Sequence, residues 1–294
     1  MNFADFGMDT ASLAGTLERK LAVVRDAGFA QVMISAADVV AHPSGAGAGA
    51  RCVRESGLRV TGLESLCDFE GLDGQLHAYK VDVAKSMLEV CAQIGAGLLL
   101  VEATTSTHAD PDAGRTVDDL RKLATLAIPL GVRIAFKARA GSRTAPDIAT
   151  AREIVFRAAS PNLGLAFDLF DALVTHTPVE EIDALDPQET YVVQLSDFMW
   201  NEIRSAAEHD ATATHFRVFP GEGAHSDALA DIVRQLDKIG YCGDYSFDVY
   251  NDDYLKLPAE TVADRARCAA DWLGETVLRR ALPVPNVERL RSAR

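Results

Sequence analysis

Apolar and polar positions along the chain follow two rhythms that take turns. Short runs of β-branched and aliphatic residues, such as Gln31-Val32-Met33-Ile34-Ser35, give way to stretches with apolar residues three or four apart, such as Leu13, Leu17, Leu21 and Val24, closed by Gly28. The first rhythm predicts strands covered on both faces, and the second predicts amphipathic helices. Strands are expected over residues 2–7, 31–35, 58–63, 96–103, 132–136 (running into Lys137), 163–168, 191–195 and 245–250. Helices are expected between them, the first capped by Asp9-Thr10 and others closed by glycines such as Gly57, Gly131 and Gly240. The second helix is expected to start late, at Arg51, because Ser44-Gly45-Ala46-Gly47-Ala48-Gly49 precedes it. Eight strand-helix pairs without a composition break predict a single α/β domain, a closed (β/α)8 barrel over residues 1–282, with a basic Pro-containing tail over 283–294.

One stretch departs from the regular pattern. The seventh strand, Tyr191-Val192-Val193-Gln194-Leu195, carries an amide inside an apolar run, and a long connection follows before the next helix, returning through Phe216-Arg217-Val218-Phe219-Pro220-Gly221-Glu222-Gly223. Gln194 either bonds a neighbouring strand end or turns its carbonyl oxygen toward a metal or substrate. A connection of that length is expected to be functional, since its aromatic and Pro content argues against disorder.

Composition narrows the function classes. With 294 residues and 48% hydrophobic content the chain can bury a large core. A formal net charge of -14 speaks against a nucleic-acid groove or an anionic membrane surface. Cys52, Cys67, Cys91, Cys242 and Cys268 are odd in number and lack C-x-x-C spacing, so neither a disulfide framework nor a thiolate zinc site is expected. No signal-like segment or membrane-length apolar run is evident, and no G-x-G-x-x-G follows a strand; a cytoplasmic protein with a small-molecule substrate is expected. Homo-oligomerisation is left open.

In a (β/α)8 barrel chemistry lies where strands end. Glu64, Glu102, Lys137, Asp168, Gln194 and Asp248 fall at the ends of strands three to eight. Any one alone could be a satisfied rim residue, whereas six converging groups of both signs mark a candidate site. Their carboxylates and amide form a hard oxygen set suited to a divalent ion such as Mg2+, Mn2+ or Co2+, which would stabilise an enolate. Arg217 is either a fork for a substrate anion or a surface ion pair. His215 neighbours it, and His108, His225, Tyr250 and Asn251-Asp252 are expected on loops of the same face.

Several segments together resemble a known family: GLRVTGLESLCDFEGL, HAYKVDVAKSMLEVCAQIGAGLLLV, LGLAFDLFDAL, YVVQLSD, HFRVFPGEG and YSFDVYND. The chain is similar to the xylose-isomerase-like TIM barrels, a group of sugar phosphate isomerases and epimerases and endonuclease IV-like proteins, and within them to bacterial 3-dehydroshikimate dehydratases. That resemblance implies a divalent metal held by Asp168, Gln194 and the carboxylate of Asp248, where the family has a glutamate. It places the remaining ligand, a glutamate on strand five, at Lys137, and an ammonium cannot ligate a cation. It also matches a family histidine to Asp171, and of a family Trp-Gly-Arg-His, matched to Gly141-Ser142-Arg143-Thr144, only Arg143 remains.

Three readings follow. In the first, an isomerase- or lyase-type enzyme removes a proton next to a carbonyl of a small polyhydroxylated keto or carboxylate substrate. Lys137 then replaces the metal's charge or forms a Schiff base, Asp171 or Glu102 is the general base, and Arg217, Arg143, Glu64 and His215 bind substrate. A weakened metal site is the second reading, with Glu102 or a water filling the missing position. The third is a non-catalytic relative that binds a small ligand or serves a regulatory role.

Overall fold

A computed structural model describes residues 5–279. Eight parallel strands close into a barrel in chain order: β1 (Phe6–Asp9), β2 (Gln31–Ser35), β3 (Arg59–Cys67), β4 (Leu98–Glu102), β5 (Arg133–Lys137), β6 (Leu163–Asp168), β7 (Thr190–Leu195) and β8 (Asp244–Phe247), which pairs back with β1. Closure leaves no unpaired strand edge.

The outward strand positions, among them Phe6, Met8, Val32, Ile34, Leu99 and Val101, pack against the helices in the main core. The inward ones form a separate small cluster inside the barrel: Met33, Leu98, Leu100, Ala135, Ala166 and Val192. Strand side chains alternate with period two, so the next inward position on these strands is Glu102, Lys137, Asp168 or Gln194. The apolar layer thus forms the floor on which the polar groups stand. Register agrees: Glu102 pairs with Lys137, Asp168 with Gln194, and Gln194 with Ser246.

Helix starts follow local capping chemistry. Asp112 and Asp147 accept the backbone N–H groups of Arg115 and Thr150, each at 2.8 Å. Gly95, left-handed at φ 77°, closes the helix Gly74–Ile94.

Two expectations need correction, and further elements appear. A short helix, Ala36–Val40, follows β2, and the helix expected to start at Arg51 already begins at Ala46, so most of the Gly/Ala stretch is helical: Gly49 lies against Val39, where a Cβ would meet the Val39 carbonyl at 2.8 Å. The first strand runs on to Asp9, and its carboxyl group, which caps no N–H of the following turn, sits at the barrel mouth. A short helix, Leu169–Val174, directly follows β6. The long connection after β7 contains an antiparallel ribbon of Asp197–Phe198 with Arg217–Val218, and a helix, Ala206–His215. The expected tail over 283–294 lies outside the described residues. Among the described residues, no helix is long and apolar enough to cross a membrane.

Gly62 occupies an inward position just below Glu64, where a Cβ would meet Met33 Sδ at 2.9 Å and Leu98 Cβ at 3.2 Å. Gly62→Val is therefore expected to overpack the lumen and destabilise the fold by about 1–3 kcal/mol. Thermal unfolding measures this; an unchanged Tm would show that the lumen has slack.

Candidate active site

The strand ends converge on a cavity of about 210 Å3 lined by Glu102, Lys137, Arg139, Asp171, His209, Arg217, Asp248 and Tyr250 among others. A larger hollow, about 580 Å3, lies beside Trp200 and Phe216 and holds none of these groups.

Lys137 stands at the centre. Its buried Nζ donates to Gln194 Oε1 at 3.0 Å and lies 3.0 Å from Glu102 Oε1, 3.6 Å from Asp168 Oδ2 and 3.9 Å from Asp248 Oδ2. Burial works against the ammonium, but Glu102, Asp168 and Asp248 together outweigh it and hold the group well above its ordinary range. Lys137 is a fixed cation at any physiological pH.

Arg217 supplies a second fixed charge. The ribbon after β7 carries it inward, where Nη1 donates to Asp168 Oδ2 and Asp248 Oδ2, each at 3.0 Å, and to Ser196 Oγ at 3.3 Å. Its guanidinium lies 4.2 Å from the Phe170 ring centroid, and Asn251 Nδ2 donates to its carbonyl at 2.8 Å. Glu102 is tied to both Lys137 and Arg139, the latter at 3.3 Å. Burial alone would raise it, yet these cations hold its carboxyl group down at about 2.

On the opposite side of the mouth the acids lack such partners. Gln194 turns its amide nitrogen to Asp9 Oδ2 at 3.2 Å and Glu64 Oε2 at 3.4 Å, while Ser246 donates to the other Asp9 oxygen. Burial, then the charge of Asp248, pushes Asp9 up to about 7, and burial with the neighbouring acids raises Glu64 well above its ordinary range. Oxygens of Asp9, Glu64 and Asp248 lie within 4.8 Å of one another, and Glu64 Oε1 and Asp248 Oδ1 are buried without a hydrogen-bond partner. This all-oxygen set could hold a small hard cation. The set implied by the resemblance, Asp168, Gln194 and Asp248 with position 137, does not fit one, because the Lys137 ammonium lies against it.

Asp171 opens the helix after β6 into the same cavity. Its Oδ1 accepts the Ala140 backbone N–H at 2.8 Å and faces His209 Nε2 at 3.2 Å. His209 comes from the helix Ala206–His215, where it is buried with Thr212 and Ala213 on one face. The sequence holds a signal for this helix in the Ser205-x-x-Glu208 capping pattern: Ser205 Oγ accepts the Glu208 N–H at 3.2 Å. Arg139, Asp9 and His209 are ionisable site residues that sequence reasoning missed.

The remaining candidates lie farther out. Arg143 is exposed and bonds the Thr107 carbonyl at 3.1 Å, and His215, also exposed, pairs with Asp252 at 3.1 Å; neither lines the cavity. His108 is exposed, and His225 packs on Phe198 at 4.1 Å between ring centroids. Tyr250 does line the mouth, its phenol raised well above the ordinary range by the neighbouring acids, Glu64 first, and by burial.

The sequence profile of the xylose isomerase-like TIM barrels matches residues 21–275. The chain belongs to this family. Among its relatives is a 3-dehydroshikimate dehydratase of Pseudomonas aeruginosa, 30% identical over 254 residues, covering 86% of this chain and 39% of the relative. The chain thus spans well under half the length of the dehydratases it matches. An inosose isomerase of Bacillus licheniformis is 26% identical over 215 residues, 71% of this chain and 74% of the isomerase. Among solved xylose isomerase-like barrels, the protein IolI, bound to a zinc atom, superposes with a TM-score of 0.78 at 20% identity over 94% of this chain and 99% of its own. That level of identity shows the shared fold alone.

The raised Asp9 carboxyl group gives a pH prediction. A proton retained in the folded state stabilises it fully below the ordinary 3.8, and this contribution is lost as pH rises through about 7. Wild-type Tm is expected to fall between pH 5 and pH 8, and Asp9→Asn, neutral throughout, to flatten that slope. Parallel slopes in the two proteins would mean that Asp9 is ionised in the fold.

Proposed function

We propose that this barrel is an isomerase- or lyase-type enzyme that removes a proton from the carbon next to a carbonyl in a small polyhydroxylated keto or carboxylate substrate. Relatives named as a 3-dehydroshikimate dehydratase and an inosose isomerase support the class. The observation that carries the reading is the pair of fixed cations, Lys137 and Arg217, at one cavity with a carboxyl group, Asp171, that neither of them touches.

The roles follow from charge. Proton removal next to a carbonyl moves negative charge onto its oxygen, and a preorganised cation lowers the barrier by stabilising that oxyanion. Lys137 supplies this charge. The same carboxylates that hold it protonated make it a poor Schiff-base amine, since the free amine is the nucleophile. Glu102, held at about 2, is too weak a base for the proton. Asp171 takes that role, with Ala140 N–H and His209 fixing one of its oxygens.

In this reading the altered position 137 replaces the family's metal-ligand chemistry at the Asp168, Gln194 and Asp248 cluster, and no step is assigned to a metal. A non-catalytic binder would retain the same ion network and differ in lacking proton transfer.

Solvent exchange tests this directly. Incubating 3-dehydroshikimate or an inosose with the protein in D2O should replace the proton next to the carbonyl by deuterium, followed by NMR, faster than the uncatalysed rate. Asp171→Asn is expected to slow exchange by roughly 10^2–10^4-fold, the usual contribution of a positioned base. Binding of either compound without exchange would establish the non-catalytic reading instead.

Position 137 is tested separately. Lys137→Glu is expected to convert the cluster into an oxygen-only set that binds Mn2+, seen as a saturable rise in the Tm of chelator-treated protein. Saturation at a hundred times Kd adds about 2.7 kcal/mol of stability. The rise should exceed any in the wild type and vanish when Asp168→Asn is added. Equal metal responses in wild type and Lys137→Glu would count against the replacement.

A further inference from the structure

We infer that Arg139 is the subsite for an anionic group of the substrate, a carboxylate carried on its ring; this rests on the functional reading above. Among the described residues three cations, Lys137, Arg139 and Arg217, line the inner cavity, and two of them are ion-paired to the buried acids Asp168 and Asp248. Lys137 is surrounded by Gln194, Glu102, Asp168 and Asp248, and Arg217 is shared between Asp168 and Asp248 with its Nε on the Ala213 carbonyl at 3.1 Å. Both cations therefore stand against Asp168 and Asp248, whose charges repel an incoming carboxylate.

Arg139 differs on each count. It lies two residues beyond the end of β5, its side chain is 24% exposed, and its contacts are long: 3.3 Å from Nη1 to Glu102 Oε2 and 3.4 Å from Nη2 to Asp210 Oδ1. Charge-assisted bonds between a guanidinium and a carboxylate close to about 2.7–2.9 Å when settled. Asp210 is itself 63% exposed, so water competes for that contact.

The position of this loose contact adds a second argument. Asp210 lines an outer hollow of about 490 Å3, Arg139 lines the inner cavity, and His209 borders both. The Arg139–Asp210 pair therefore spans the threshold between them. A ring carboxylate passing inward meets Nη2 there and displaces Asp210, while Glu102 keeps Nη1 in place. Asp210 acts as an internal stand-in for the ligand's own anion.

A bystander role, in which Arg139 only neutralises Glu102, predicts something else, and ligand charge separates the two. The probes are 3-dehydroshikimate and its uncharged methyl ester, titrated calorimetrically into the full chain. Wild type is expected to bind the acid more tightly than the ester. Arg139→Gln should weaken the acid roughly tenfold and leave the ester unchanged, the scale of one lost charge-assisted contact. Asp210→Asn, a change on an exposed helix face, should tighten the acid several-fold by removing the competing carboxylate, again without effect on the ester; it carries the test should Arg139→Gln fold poorly. Equal binding of acid and ester by wild type, or an acid affinity untouched by both variants, overturns the subsite while deuterium exchange leaves the functional reading standing. If wild type binds neither probe and exchanges no proton, both fall together.

Discussion

An ammonium inside the mouth of a parallel barrel is among the costliest groups a fold can bury, and everything around Lys137 is arranged so that the cost is met. Three carboxyl groups and an amide oxygen lie between 3.0 and 3.9 Å from its Nζ. Removing any of them leaves a buried charge short of a partner, the situation that destabilises folded proteins most. Arg217 and Lys137 share Asp168 and Asp248, so the two cations and these acids form one network whose members cannot be changed singly without disturbing the rest.

Gln194 joins this network to the opposite half of the mouth. Its carbonyl oxygen faces the Lys137 donor and its nitrogen faces the acceptors Asp9 and Glu64, so donor and acceptor demands fix the amide in one orientation. The result is a polarised mouth. The β4 to β7 side is paired and charged, with Glu102 held at about 2, while the β1 and β3 side retains protons, with Asp9 pushed up to about 7. Opposite shifts in neighbouring carboxyl groups reflect their environments, cations on one side and burial beside other acids on the other.

Much of this could be read in the chain itself. Strands β2 and β6 fall where the two-residue rhythm and flanking glycines put them, because runs such as QVMIS and LGLAFD are apolar on both faces and fit only a covered parallel sheet. The polar strand ends were legible for the same reason: a charge that closes an otherwise apolar strand cannot sit in the covered sheet unpaired, so it marks the rim. Asp9 was hidden because Gly7 reads as the end of the first strand, which makes a mouth residue two positions on look like a helix cap. His209 was hidden because its helix is weakly amphipathic and sits inside a connection that reads as irregular, although the Ser205–Glu208 capping pattern was present.

The sequence by itself determined the barrel, since the alternation of periods and the punctuation by glycine are local properties, and it determined which ends of strands three to eight carry polar groups. Only the tertiary structure decided what those charges do. Whether Arg217 is a free fork or a buried member of an ion network depends on how the ribbon after β7 returns it to Asp168 and Asp248, positions 49 and 31 residues away. Whether Gln194 serves a strand end or the mouth depends on Lys137 and Asp9, which are remote in sequence and adjacent in space. Electrostatic roles are set by distance and burial, and both arise only when the barrel closes.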